Sequence, residues 1–178
     1  MPSPDLGEAL VDAFALNDRV NQVLLGELDP RAWRAPPPGK RTRTIAAIFS
    51  HVHNIRRKWL RLSAPHIGLP AELDRARVTQ EQAREALAES AALCCDMIRE
   101  ALAKSNGRVK TFHRDGWAKP WPVAPDMVAY MLSHDAHHRG QVCMLAHQLG
   151  YPLSSKCTSQ MWAWQRLTRP SDTKSRSR

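Results

Sequence analysis

Long apolar runs are missing from this sequence. Arg, Asp or His interrupts every candidate span within a few residues, so nothing approaches the roughly 20 apolar residues that a membrane helix needs. The first ten residues carry Asp5 and Glu8 and lack a basic segment followed by an apolar one, so no secretory signal is expected and the reading is a cytoplasmic protein with no membrane partner. Cysteine is scarce: Cys94, Cys95, Cys143 and Cys157 form no C-x-x-C pair and read as reduced, mostly buried thiols. Gly-rich phosphate loops of the G-x-G-x-x-G or Walker type and a G-x-S-x-G elbow are absent, which removes the usual signals of nucleotide and serine chemistry. There is no repeat at a fixed period, and no stretch alternates convincingly as a strand.

What is present is globular in kind. With 43% hydrophobic and 24% charged residues over 178 positions, the chain can bury a sizeable core as a single domain. The net charge of +9 invites a nucleic-acid reading, but residues 166–178 alone hold five basic residues against one acid, leaving about +5 on the remainder. The chain therefore divides into one domain over 1–167 and a disordered basic tail over 168–178. Elsewhere the basic residues are dispersed, which argues against a nucleic-acid partner. Their densest cluster, Arg56, Arg57, Lys58 and Arg61, could instead serve an acidic ligand.

Apolar spacing is helical almost throughout. A first helix runs from about 5 to 28, with Leu6, Ala9, Ala13, Leu16, Val20 and Val23 on its stripe, stopped by Asp29-Pro30. A second starts near Thr44, after a Pro36-Pro37-Pro38-Gly39 breaker, and ends before Pro65, with the stripe Ile45, Ile48, Val52, Ile55, Trp59 and Leu62. The third opens with Thr79 and Gln82 at capping-box spacing and closes at Asn106-Gly107. Its stripe is Ala83, Leu87, Ala91, Cys94, Ile98 and Ala101. The fourth begins at Pro125-Asp126 and ends at Gly150. Four long amphipathic helices predict an all-α fold, a four-helix bundle.

The connections over about 29–43, 64–78 and 108–124 are longer than bundle neighbours need, so helix order is not readable from them. The third, with Phe112, Trp117 and Trp121, is expected to pack over one end of the bundle. Met161, Trp162 and Trp164 suggest a short extra helical turn docking on it at the C-terminal side.

Eight histidines exceed ordinary usage, and their placement matters more than their number. His134 and His138 stand at i and i+4 on the fourth helix, stacking their rings one turn apart on one face, where both can reach one ion. They belong to the inward stripe Met131, His134, His138, Val142, Leu145 and Leu149. Two buried imidazoles are costly unless their nitrogens find partners, and a shared cation satisfies both. On the second helix His51 borders the inward stripe, whereas His53 sits with Phe49 and Arg57 on another face, so His51 is the third candidate ligand. His137 is rotated about 100° from His138 and reads as an outer or surface residue. His147 reads as ordinary, His66 and His113 as loop residues with a substrate-facing role left open, and Cys143 as a core thiol. Asp135, Asn54 and Gln141 are candidate acceptors for the free ring N–H groups of the ligands. Arg139 and Arg56 could hold an acidic substrate group but read first as solvated or salt-bridged near a bundle end.

Two segments, TIAAIFSHVHNIRRKWL on the second helix and SHDAHHRGQVCMLAHQLG on the fourth, resemble the DinB (DinB/YfiT-like) family, over about residues 6–151. The HHRGQ run followed by an apolar helix and LG is the most specific part. The resemblance implies a four-helix bundle in which three histidines from helices two and four bind a divalent metal, zinc or nickel. Matched by position, these are His51, His134 and His138. It further implies a low-molecular-weight thiol as co-substrate, since relatives include thiol-dependent S-transferases and a maleylpyruvate isomerase, and a homodimer, since such bundles often pair through helical faces.

Three neutral imidazoles leave an open coordination position, where a metal can polarise a carbonyl, activate water or hold a thiolate. The expected function is thus a metal-dependent enzyme acting on a small molecule by thiol transfer or hydrolysis. The alternative is a metal-binding stress-response module without turnover. A pocket beside the open position, large enough for a substrate, separates the two.

Overall fold

The structure is a computed structural model that describes residues 5–39, 42–104, 112–114, 117–119 and 124–168. Residues 169–178, which hold almost all of the expected basic tail, lie outside the described residues, as do Trp121 and Asn106-Gly107. The fold is all-α. Four long helices, α1 (Leu6–Glu27), α2 (Ile45–Ser63), α3 (Gln80–Lys104) and α4 (Ala124–Gln148), are followed by the short α5 (Ser155–Trp162) and α6 (Trp164–Leu167). No described helix is long and apolar enough to cross a membrane.

The helix starts are those the capping residues dictate. The Asp5 carboxylate accepts from the Gly7 and Glu8 N–H groups, and the Thr44 hydroxyl accepts from Ala47 N–H, each satisfying backbone donors that the helix itself leaves unpaired. At α3 the box closes in both directions: Thr79 N–H donates to Gln82 Oε1 at 2.9 Å and Gln82 N–H donates to Thr79 Oγ1 at 3.1 Å. Replacing Thr79 by Ala removes one of these bonds at an exposed cap, so a urea melt should show a loss of about 1 kcal/mol. No change beyond a few tenths would mean that α3 starts independently of its box.

α1 and α2 each pack against both α3 and α4, which supplies the helix order that connection lengths left open. Two apolar clusters fill the interior. One gathers Leu24, Leu25, Ile45, Phe49, Leu87 and Val142, and the other Phe14, Trp59, Leu60, Met97, Ile98 and Met131. Between them lies charge: Arg56 is fully buried, with Nη1 on Asp18 Oδ1 at 2.7 Å and on the Leu87 carbonyl at 2.9 Å, and Nη2 on Asp135 Oδ2 at 2.5 Å. All four long helices meet at this one guanidinium.

The stripe expected for α1 is partly displaced. Leu6 is 73% exposed, Ala9 is exposed, and Ala13 and Val23 are only half-buried. Leu16 and Val20 of that stripe are buried as expected, but the inward face also carries Val11, Phe14, Asn17, Asp18, Asn21, Leu24 and Leu25, and its three polar members hid its full extent from a reading by apolar spacing.

The first connection folds onto the core through Trp33, whose ring stacks on Phe49 and whose Nε1 donates to the Val78 carbonyl at 3.0 Å. The third contains two short strands, β1 (Phe112–Arg114) and β2 (Trp117–Lys119), paired antiparallel with Arg114 opposite Trp117. The sequence reading missed this hairpin because each strand has only three residues. Its signal is the Asp115-Gly116 dipeptide between them, a favoured two-residue hairpin link. β1 contacts α2, in keeping with a connection laid over the bundle. At the C-terminal side the expected extra helix is present as α5 and docks through buried Cys157 and Met161, whereas Trp162 and Trp164, also expected to dock, are 79% and 49% exposed.

Candidate metal centre

The register of α2 and α4 brings His51, His134 and His138 together. Their ring centroids are 4.7 Å apart for His51 and His138, 5.4 Å for His51 and His134, and 4.6 Å for His134 and His138. One candidate ligand nitrogen from each lies within 4.8 Å of the others, so that the three form a group that could hold a metal ion. The donor set suits one: neutral imidazoles bind divalent zinc or nickel at about 2.0–2.1 Å, so two nitrogens on one ion stand at most about 4.2 Å apart, and nitrogens already within 4.8 Å reach that span by small ring movements.

Two of the rings are oriented from behind. His134 Nδ1 lies 3.3 Å from Asp135 Oδ1 and His138 Nδ1 lies 2.7 Å from Gln141 Oε1. With both Nδ1–H groups donating to these oxygens, the Nε2 lone pairs are left for an ion, which is the outer arrangement that fixes tautomer and raises ligand basicity. Burial, together with the nearby His134, His137 and Arg43, keeps His138 more easily deprotonated than an ordinary histidine, which favours the lone-pair form a ligand requires.

Asp135 ties the site to the core. Its Oδ1 faces His134 while its Oδ2 takes Arg56 and, at 3.0 Å, the Asn17 amide. Burial alone would raise this carboxyl, but the Arg56 guanidinium and the His134 ring hold it below the usual carboxylate range. Asp18, with burial outweighing the same guanidinium, is held above that range. Arg139 is not at a bundle end either: its Nη1 donates to Asn17 Oδ1 at 2.9 Å and Asn21 Oδ1 at 2.8 Å. Arg56 and Arg139 are thus committed to α1 and α4 and are not substrate-facing.

Of the other residues singled out in the sequence, Asn54 pins the second connection, exchanging two hydrogen bonds with the Leu73 backbone at 3.0 and 3.1 Å. His53 is fully buried beside the Ala71 and Ala86 carbonyls and Ser90 Oγ, at 2.9, 3.0 and 3.2 Å, a packing role away from the cluster. His137 is exposed and meets Gln141 Nε2 at 3.0 Å. His66 pairs with Glu100 at 2.7 Å on the surface, and His147 is exposed. The His113 side chain lies outside the described residues. Cys143 is half-buried with its thiol pushed up by burial, as expected of a core thiol.

The cluster opens on a cleft of about 470 Å³ walled by Trp59, Tyr130, Ile55 and Ser133, with Arg43 and Lys58 at its polar side. The Trp59 ring stands edge-on to His134 at 5.3 Å and 76°. A second cleft of about 570 Å³, over Ser50, Asn54 and the segment 72–75, shares Arg43 and His51 with the first.

An all-α protein in which two helices present three imidazoles beside a cleft of substrate size is the class that fold and site define. The model of the DinB family matches residues 1–166, and the chain belongs to that family. No curated protein matches the chain.

Proposed function

We propose that His51, His134 and His138 bind one divalent metal ion, zinc or nickel, and that the protein is a metal-dependent enzyme acting on a small molecule by thiol-dependent transfer or hydrolysis. The observation that carries this is the convergence of the three rings, two of them oriented through Nδ1 by Asp135 and Gln141, at the wall of a cleft. With three protein ligands, such an ion keeps a position for water, a carbonyl oxygen or a low-molecular-weight thiol. The chain's own residues supply the rest: Asp135 holds the His134 ring, Gln141 holds His138, and Trp59 and Tyr130 give an apolar wall that limits water beside the ion. The cleft favours catalysis over a stress-response module without turnover, because a purely structural ion needs no adjoining space of about 470 Å³. We place the protein in the cytoplasm as a homodimer, for which Met144, Trp162 and Trp164, 62%, 79% and 49% exposed, offer apolar surface to cover.

Protein purified without a histidine tag should carry about one divalent ion per chain by elemental analysis, and the loaded protein should conjugate a low-molecular-weight thiol to, or hydrolyse, some member of a panel of small electrophiles and esters. A metal-free preparation that takes up no zinc or nickel at stoichiometric concentration would sink the metal centre. A loaded protein inert toward the whole panel would leave the binding module as the better reading.

A further inference from the structure

We propose that the cleft beside the three histidines receives a small organic acid with a flat apolar body, its carboxylate held by Arg43 and its body lying against Trp59 and Tyr130. This deepens the enzymatic reading above and rests on it for the identity of the site.

The argument starts from the charge around the cleft. Among the described residues that line it are Arg43 and Lys58 and no carboxylate; Lys58 is engaged in an interaction of its own, so the charge the cleft offers a ligand is that of Arg43. The carboxylates of the adjoining cleft are already matched: Glu72 meets Arg57 at 3.2 Å and Asp74 meets Arg77 at 3.6 Å. Behind the cluster, Arg56 and Arg139 are balanced by Asp18 and Asp135, all within one hydrogen-bonded network through Asn17, so the interior does not cancel the potential at the surface. A concave site with low-dielectric walls and one sign of charge focuses that potential on what enters it.

Arg43 is the better anchor of the two cations. It stands next to Thr44, the capping residue of α2, so its backbone is fixed by the helix start. It also borders both clefts, on the same lining as His51. A guanidinium there presents a planar fork that matches a carboxylate in two-point contact, which an ammonium cannot do. Much of the remaining wall is aromatic and apolar: Trp59 and Tyr130 meet edge to face with centroids 6.1 Å apart, and Ile55 lies beside them, with Ser133 and His137 completing the lining. Such a wall favours a planar apolar body over a hydrated chain. The geometry therefore separates two ends of the ligand, an anionic end toward Arg43 and an apolar body along the rings, with the three histidines between.

The test uses benzoate, benzamide and acetate as probes, with binding read by ligand-observed NMR on the full chain, both freed of metal by a chelator and loaded with zinc. Benzoate should bind at least tenfold more tightly than either benzamide, which lacks the charge, or acetate, which lacks the flat body. Arg43→Gln should weaken benzoate at least tenfold, about 1.4 kcal/mol, and Lys58→Gln less. Arg43 is exposed and outside the helix, so an unchanged melting temperature will confirm that its variant folds. Equal binding of benzoate and benzamide, no benzoate binding in either form, or benzoate binding indifferent to Arg43→Gln overturns the proposal, whatever the metal content. Arg43-dependent benzoate binding by a chain that takes up no metal would uphold it while the metal reading failed.

Discussion

Arg56→Met should lower the stability of the protein by about 3–5 kcal/mol at neutral pH, the cost of removing one member of a buried ion network and leaving the others uncompensated. In a chain of this size that corresponds to a fall of roughly 6–20 °C in Tm. Arg56 is wholly buried and, among the described residues, is the arginine that pairs with Asp18, at 2.7 Å, and with Asp135 Oδ2, at 2.5 Å. Methionine fills similar space, so the loss reports charge and hydrogen bonding more than a cavity. Without the guanidinium, Asp18 keeps Gln22 Nε2 at 3.3 Å and Asp135 keeps Asn17 Nδ2 at 3.0 Å and His134 Nδ1 at 3.3 Å, which is too little to hold two carboxylates fully ionised in an apolar interior.

The pH dependence of the variant carries the sign of this explanation. In the variant both carboxyls would have folded-state pKa values above their unfolded ones. The folded form then binds protons that the unfolded form does not, and the variant gains stability relative to the parent as the pH falls from 7.5 toward 5. Urea melts at the two pH values measure it. A deficit that is small, or that does not shrink on acidification, would mean the network contributes little. Adding Asp18→Asn and Asp135→Asn to Arg56→Met should recover part of the loss, since it removes the orphaned charges themselves.

This network is also where reading the sequence stopped short. Helices α2, α3 and α4 were legible because enough apolar residues recur on their inward faces for the 3.6-residue period to stand out despite Ser50, His53, Arg56, Asp135 and His138, and because Thr44, Thr79 and Gln82 mark the starts of α2 and α3 by chemistry that acts locally. The inward face of α1 was partly misplaced because Asn17, Asp18 and Asn21 occupy it, and apolar spacing has no entry for a polar residue whose partner lies on another helix. Arg56 was set near a bundle end for the same reason, although it stands four residues after Val52 and three before Trp59, both inward. Asp18 likewise follows Phe14 by four and Asp135 follows Met131 by four. One arginine and two aspartates at core register, on three different helices, are a signal of a compensated buried triad when taken together. The three histidines escaped this problem, because i and i+4 spacing on one helix is visible without knowing the partner. The hairpin and the burial of Trp33 depend on contacts between distant segments, which local pattern does not encode.

The proposed metal centre is tested most strongly by variants that differ in what they remove. His138→Ala or His134→Ala takes away a ring that only two helical turns of α4 can supply, and tag-free protein dialysed against a competing chelator should lose its zinc or nickel outright. Gln141→Leu leaves all three rings in place but removes the acceptor 2.7 Å from His138 Nδ1, so the ring is freer to turn and its basicity falls. Affinity should then drop by about 10–100-fold rather than vanish. His137→Ala removes an exposed imidazole outside the three-ring group, and its metal content should match the parent. The order of effects is what distinguishes a defined centre from adventitious binding by a histidine-rich surface, where loss would track the number of imidazoles removed and His137→Ala would cost as much as His138→Ala. Equal metal content in the parent and in His138→Ala would end the assignment of these ligands. His138 meets Gln141 and not the Arg56 network, so His138→Ala should keep most of the folding stability in metal-free protein and its loss of metal can be measured on a folded chain, whereas His134→Ala also removes the ring beside Asp135 Oδ1.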